Sequence, residues 1–311
     1  MQRVTPAISV TGLVKRYGNR DVVDHLDLEV AQGEVLAFLG RNGAGKTTTT
    51  EILEGYRERD AGEVLVLGQD PATAGADWRA KLGIVLQESR PLGALTVRET
   101  LRLYAAYFPH PRGVDEVIRL VGLEEQASQR AGRLSGGQQR RLDVGVALIG
   151  NPELVFLDEP TTGFDPDARR QFWDVITGLR DLGTTVFLTT HYMDEAQVLA
   201  DRVAVMRDGK VAALGTPAEL QAMRGDVEIR FVLPHALALD ALPALSRPPL
   251  LTGGEVRVET TAPTADLAAL CTWAEGRGLE LEGLTVERPT LEDVFLAIAG
   301  DHAEAASTCT P

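Results

Sequence analysis

The chain has 311 residues, 44% hydrophobic and 24% charged, values of a folded protein long enough for one large domain and a small one. Its net charge of −14 argues against a nucleic-acid backbone or an anionic lipid surface as the main partner. No apolar run approaches bilayer-spanning length, the first residues lack a signal peptide's apolar core, and Cys271 and Cys309 have no metal-type spacing. A cytosolic chain without disulfides or zinc is the expectation.

Residues 1–225 alternate β-rich runs with helical stretches, which predicts an α/β domain around a central sheet. ISVTGLVKRY (8–17), DVVDHLDLEV (21–30) and EVLAFLG (34–40) read as early strands. KLGIVLQ (81–87), ELVFLDE (153–159), TTVFLTTH (184–191) and RVAVMRDG (202–209) read as later ones. LVFLD is nearly all apolar, as a strand buried on both faces should be. Between Gln87 and Ser135 the pattern turns helical: 96–108 opens with Thr96 and Glu99 at capping-box spacing, and 114–126 continues it.

After residue 225 the composition changes. The tail holds no lysine and five arginines against fourteen acidic residues. Its pattern is strand (226–233), helix (236–245), strand (255–261), helix (264–278), strand (279–287) and helix (290–300), a small α+β domain with frayed residues after 300.

Gly40 to Thr47 match G-x-x-x-x-G-K-[ST] directly after a strand and at the start of a helix. Glycines let such a loop wrap with its N–H groups turned toward a phosphate. Gly40, Asn42, Gly43, Ala44, Gly45, Lys46, Thr47 and Thr48 are therefore candidate phosphate ligands, with Thr47 also offering a hydroxyl to Mg²⁺. LVFLDEP (154–160) ends a buried strand on two carboxylates. Asp158 is placed to hold Mg²⁺ and Glu159 to act as general base on the attacking water; a solvated acidic turn is the bland alternative. Gln87 and His191 each end a strand, where they could touch Mg²⁺ and water, or the γ-phosphate; singly, each reads as an ordinary strand-end residue. Tyr17 is a candidate to stack on adenine, against a packing role.

LSGGQQRR (134–141) offers a second set of N–H groups at a helix start. A second set makes sense if the Ser135 and Gly137 N–H groups close over the γ-phosphate of a nucleotide held by another subunit, in a head-to-tail dimer. The alternative is a serine N-cap with QQRR as a solvated face.

Taken together, Tyr17, GRNGAGKTT, Gln87, LSGGQQRR, LVFLDEP, TTGFDP and His191 resemble, in order and spacing, an ABC-type ATPase over residues 5–225. The resemblance implies a P-loop ABC ATPase domain, 1–225, with a mixed sheet core and a helical subdomain at 88–133, followed by a small acidic α+β accessory domain, 226–311. It implies ATP and Mg²⁺ as cofactors, Thr47, Gln87 and Asp158 around the metal, and Glu159, His191 and Gln87 in catalysis. It also implies that Ser135–Gln138 face the opposite subunit's ATP, with Asp165 in the loop that faces across the dimer. Arg41 stands where the family usually has proline, and Phe164 where leucine is common. LTVERPTLEDVFLAIAG (284–300) resembles the end of exporter ATPases of the daunorubicin-resistance type.

The expectation is an ATP-hydrolysing motor subunit of an exporter at the cytoplasmic face of a bacterial membrane. Its partners would be an integral-membrane permease and a second ATPase, identical or related, with no nucleic acid. An importer motor, or a soluble ABC ATPase acting on nucleic acid or the ribosome, is the alternative; paired ATPase halves, zinc cysteines or basic patches would mark the latter, and none is present.

Overall fold

The computed structural model describes residues 5–86, 93–223, 227–233, 237 and 239–300. Gln87, the first residues of the expected helical subdomain and the expected frayed tail after 300 lie outside them. The chain divides into two compact units, Met1–Pro217 and Ala218–Pro311.

In the first unit, β1 (Ile8–Tyr17), β2 (Arg20–Val30) and β3 (Val35–Gly40) lead into α1 (Lys46–Leu53). Next come β4 (Ala61–Val66), α2 (Ala76–Arg79), β5 (Leu82–Val85), α3 (Val97–Ala105), α4 (Val114–Leu120) and α5 (Gly136–Leu148). β6 (Leu154–Asp158), α6 (Pro166–Asp181), β7 (Thr185–Thr189), α7 (Met193–Leu199), β8 (Arg202–Arg207) and β9 (Lys210–Gly215) complete it.

The first two strands do not join the central sheet: β2, β1 and β4 form an antiparallel sheet of their own. The six-stranded sheet has the order β5-β6-β7-β3-β8-β9 and is parallel except for β9. β4 and β9 are strands that hydropathy alone did not mark. β9 turns back from β8 through Asp208 and Gly209, both at positive φ (49° and 81°), a two-residue hairpin written as D-G.

Alternation explains the apolar runs. Leu154, Phe156, Phe187 and Phe38 pack with residues of the antiparallel sheet, and Phe187 lies 5.3 Å from Phe38 and 5.5 Å from Phe156, ring to ring. Val155, Leu157, Val186 and Leu188 face the opposite way, against Leu142 of α5, Phe172 and Ile176 of α6, and Val117 of α4. Both faces of the sheet are covered, so each strand needs apolar residues at every position.

In the helical region, Thr96 and Glu99 make the expected reciprocal capping box at the start of α3. The helix expected at 114–126 stops at Leu120, because Gly122 takes a positive φ of 61° and ends it.

α8 (Pro217–Met223) begins on the last residue of the first unit, and the second unit holds a four-stranded antiparallel sheet, order β11-β12-β10-β13, from β10 (Val227–Val232), β11 (Leu250–Thr252), β12 (Glu255–Thr260) and β13 (Glu282–Glu287). α9 (Pro263–Glu275) packs Leu270 and Trp273 onto Ile229, Phe231, Val256 and Val258, while Glu228, Arg230 and Arg257 alternate to the other face. α10 (Leu291–Gly300) follows. Of the helix expected at 236–245, the described residues form a 3₁₀ turn, Leu239–Ala241. Pro243 would have stood inside that helix without an N–H and against the preceding turn.

Candidate functional site

The carboxyl ends of three neighbouring parallel strands, β6, β7 and β3, deliver the site. Parallel sheets place ligands outside these ends. β3 ends at Gly40, and the loop to α1 closes on itself: Ala44 N–H donates to Arg41 O at 3.1 Å, and Lys46 Nζ donates to Gly40 O at 2.5 Å and Arg41 O at 3.4 Å. Only glycine suits position 45. Its φ is 107°, and a Cβ there would lie 2.5 Å from Val22 O and 2.7 Å from Met206 Cε. At Gly40 a Cβ would meet Met206 O at 2.8 Å. The loop is thus pressed against β2 and β8 while its inner side is left open.

A cavity of about 380 Å³ occupies that side, within the range of small-molecule sites. Asn42, Gly43, Gly45, Lys46, Thr47, Thr48, Asp158 and Glu159 line it together with Val22 and Arg41. Gly40 and Ala44 contribute loop backbone behind it. Burial lowers the Lys46 pKa, and the carboxylates of Glu159 and Asp158 oppose that shift. The set fits a polyphosphate: one buried ammonium, a glycine loop opening a helix, and a hydroxyl at Thr47. Two carboxylates on the same wall would repel such a ligand without a cation between them. No group of three or more His, Cys, Asp or Glu gathers as a metal cage among the described residues.

Asp158 ends β6 opposite Thr189 of β7, whose hydroxyl bonds its Oδ1. Glu159 follows with a positive φ of 42°, rare outside glycine, held by its N–H donating to Thr189 O at 3.0 Å and Thr189 Oγ1 at 3.1 Å. Its carboxylate lies 3.4 Å from His191 Nδ1 and accepts from Thr162 Oγ1 at 3.4 Å. The structure therefore brings His191 to Glu159, although His191 is not a lining residue of the cavity.

Arg140 is a residue that sequence reading missed. Within LSGGQQRR it is buried, not solvated: its guanidinium donates to Pro160 O at 3.0 Å, Asp158 O at 2.7 Å and Leu86 O. This ties α5 to the end of the carboxylate strand and to the end of β5. The signal was available, since Arg140, Val144, Ala147 and Leu148 share one helical face. Thr189, which orients both carboxylate positions, carried no such signal.

Other expected site residues stand apart from the cavity. Ser135 caps α5, its Oγ accepting from Gln138 N while Gln138 Oε1 accepts from Ser135 N at 3.0 Å. Ser135 and Gly136 are exposed, and Ser135, Gly136, Gly137 and Gln138 line no part of the cavity in their own chain. Asp165 caps α6, accepting from Ala168 N at 2.8 Å. Tyr17 is half-exposed; its hydroxyl accepts from Arg57, whose guanidinium lies 5.6 Å from the ring centre. Phe164 packs edge-on to Phe172 at 5.8 Å, in its own chain's core.

Comparison with known proteins matches this geometry to a family. Residues 23–162 match the family model described as ABC transporter, and residues 227–290 match the ABC transporter domain-containing protein-like C-terminal domain. The chain is 39% identical over 309 residues to daunorubicin resistance ATP-binding protein DrrA3 of Streptomyces coeruleorubidus, covering 95% of this chain and 96% of that one. It is 38% identical over 306 residues to Nod factor export ATP-binding protein I of Rhizobium sp. (strain N33), covering 96% and 98%. Among solved structures, an ATP-binding subunit of an ABC transporter superposes with a TM-score of 0.63 at 26% identity, over 71% of this chain and 94% of that one. A dimeric ATP-binding cassette in a post-hydrolysis state with ADP and Pi shares the fold, with a TM-score of 0.59 at 24% identity over 67% and 98%. A P-loop cavity closed by a carboxylate pair, carried on a chain that matches these relatives nearly end to end, belongs to the ATP-binding, ATP-hydrolysing subunits of ABC transporters.

Proposed function

We propose that this chain is the motor of an export system, working as a dimer around two ATP molecules beside a separate membrane permease. The observation that carries the reading is the split between two helix starts. One lines the polyphosphate cavity; the other, at Ser135–Gln138, stands exposed and away from it. A nucleotide held on the first is completed by the second from another copy, or from a related ATPase.

In this reading Lys46 and the N–H groups of the 40–48 loop bind the β- and γ-phosphates, and Tyr17 supports the adenine once Arg57 yields its ring. Thr47, Asp158 and Gln87 would hold Mg²⁺. The metal, when bound, neutralises charge on the phosphate oxygens. Glu159, turned by its left-handed backbone, accepts the proton of the attacking water. His191, 3.4 Å from that carboxylate, orients it and reaches the γ-phosphate. Asp165, at the start of α6, faces the second subunit.

Export as the direction is supported by the relatives, whose names speak of drug resistance and Nod factor export; a drug or antibiotic is the cargo we propose. Among the described residues no helix is long and apolar enough to cross a membrane, so a permease must supply the path, and the chain would sit on its cytoplasmic face. The helical region 88–133 would meet that permease. We assign 1–225 to the ATPase and 226–311 to an accessory domain that its acidic charge keeps off anionic lipid; deleting 226–311 should weaken the dimer, and an unchanged dimer would refute this role.

The test is Glu159→Gln with ATP on a sizing column: retained ATP binding, slow phosphate release and a stable dimer are expected. A variant that stays monomeric, with and without the permease, overturns the sandwich. Pull-down from detergent-solubilised membranes should bring a multi-span permease; ribosomes or nucleic-acid proteins would overturn the motor reading.

A further inference from the structure

Glu195, on α7, has no exposed surface. Neither carboxylate oxygen closes an ordinary hydrogen bond, and the same holds for the buried Thr161 Oγ1 and Trp173 Nε1. Yet these groups surround one another. The hydroxyls of Thr190 and Thr161 and the indole of Trp173 draw the Glu195 carboxyl down, while burial outweighs them and leaves it above its ordinary value. Thr190 Oγ1 already accepts from Tyr192 N at 3.0 Å, so its hydrogen is available to Glu195.

Buried polar groups with unmade hydrogen bonds destabilise a fold. Stability alone would have filled this place with apolar side chains. The groups come from three segments with one thing in common. Thr161 lies two residues after Glu159, Thr190 directly precedes His191, and Trp173 is on α6, the helix that Asp165 caps. The outer side of the same turn is also clasped by α6: Arg169 lies 4.0 Å over the Tyr192 ring and 3.2 Å from Asp194 Oδ2, and Tyr192 packs 4.1 Å from His191, ring to ring.

We infer that Glu195 is a positioning residue for hydrolysis: it pins the turn carrying His191 to α6 and to the segment after Glu159. A shift of the Asp165 loop is then passed to His191 through one buried carboxyl. The loose contacts with Thr161 and Trp173 close as the loop is pressed by a second subunit. This rests on the reading of His191 and Glu159 as the hydrolytic pair and of Asp165 as facing the dimer.

The test is steady-state phosphate release and ATP binding by the full chain carrying Glu195→Ala or Glu195→Gln, alone and with His191→Ala. Glu195→Ala should lower kcat roughly 10- to 30-fold with ATP affinity nearly unchanged, and Glu195→Gln, which keeps shape and hydrogen bonding, should restore most of it. In a His191→Ala background Glu195→Ala should add nothing. A wild-type kcat for Glu195→Ala, losses that multiply, or no rescue by glutamine overturns the inference. If Glu195→Ala does not fold, Trp173→Phe and Thr161→Val each remove one donor; a kcat-selective loss in either supports it, and wild-type kcat in both overturns it. His191→Ala at full activity would instead overturn the underlying site.

Discussion

Two glycine-bearing helix starts sit in one chain and are built on opposite principles. The loop before α1 is crowded at both its ends: Gly40 and Gly45 touch backbone so closely that no side chain fits, and Lys46 is folded onto the loop's own carbonyls. The start of α5 is open. A Cβ on Gly136 would meet nothing within 4 Å, and Ser135 and Gln138 satisfy each other. A site that must bind by itself is pre-shaped by its own protein. One that completes a neighbour's site needs only to be capped, exposed and rigid.

Lys46→Ala tests the crowded side most severely. Loss of the ammonium should lower phosphate release about a hundredfold or more, measured on the purified chain; substantial residual turnover would break the contrast. Gly45→Ala should then cost about 2–3 kcal/mol in urea unfolding through its strained backbone and clash, with loss of ATP binding. Gly136→Ala should stay within about 0.5 kcal/mol of wild type. Equal costs at the two glycines would mean that the second start is as constrained as the first.

The far end of α1 carries its own burden. Glu54, its C-cap, is 6% exposed, and burial with the nearby Asp158 and Glu51 raises its carboxyl to about 8 from an ordinary 4.5. Between these values the folded chain keeps a proton that the unfolded chain releases. Stability contributed by this group therefore falls as pH rises from 4.5 to about 8, by at most about 1.4 kcal/mol per unit. Glu54→Gln should flatten that slope and raise the melting temperature at pH 8; an unchanged slope would show that the carboxyl ionises freely. Ser135→Ala should lose about 1 kcal/mol from the cap with ATP binding by the single chain unaltered. Weakened binding there would place the start of α5 in its own chain's site.

Much of this was legible because it is local. The P-loop spells its own backbone through Gly43 and Gly45, both at positive φ, and the carboxylate pair follows a strand whose apolar run announces burial on both faces. Short strands were less legible. β4 and β11 lack the periodicity that marks a half-buried strand, and in β9 the D-G turn was the stronger signal. The helix expected at 236–245 overlooked Pro243. His191 was read as one of several strand ends; its pairing with Glu159 follows from β7 lying beside β6, which no local pattern contains.

The sequence by itself determined the phosphate loop, the carboxylates at the end of β6, the capped start of α5 and the family, because each rests on backbone preferences and spacing within a few residues. Tertiary structure decided that β1, β2 and β4 form a separate sheet, that Arg140 turns inward to the carbonyls of Asp158 and Pro160, and that Thr189 orients Asp158 and Glu159. It also decided that Glu195 is enclosed by Thr161, Thr190 and Trp173. Those placements join residues from distant segments, and only strand order and helix packing bring such residues together.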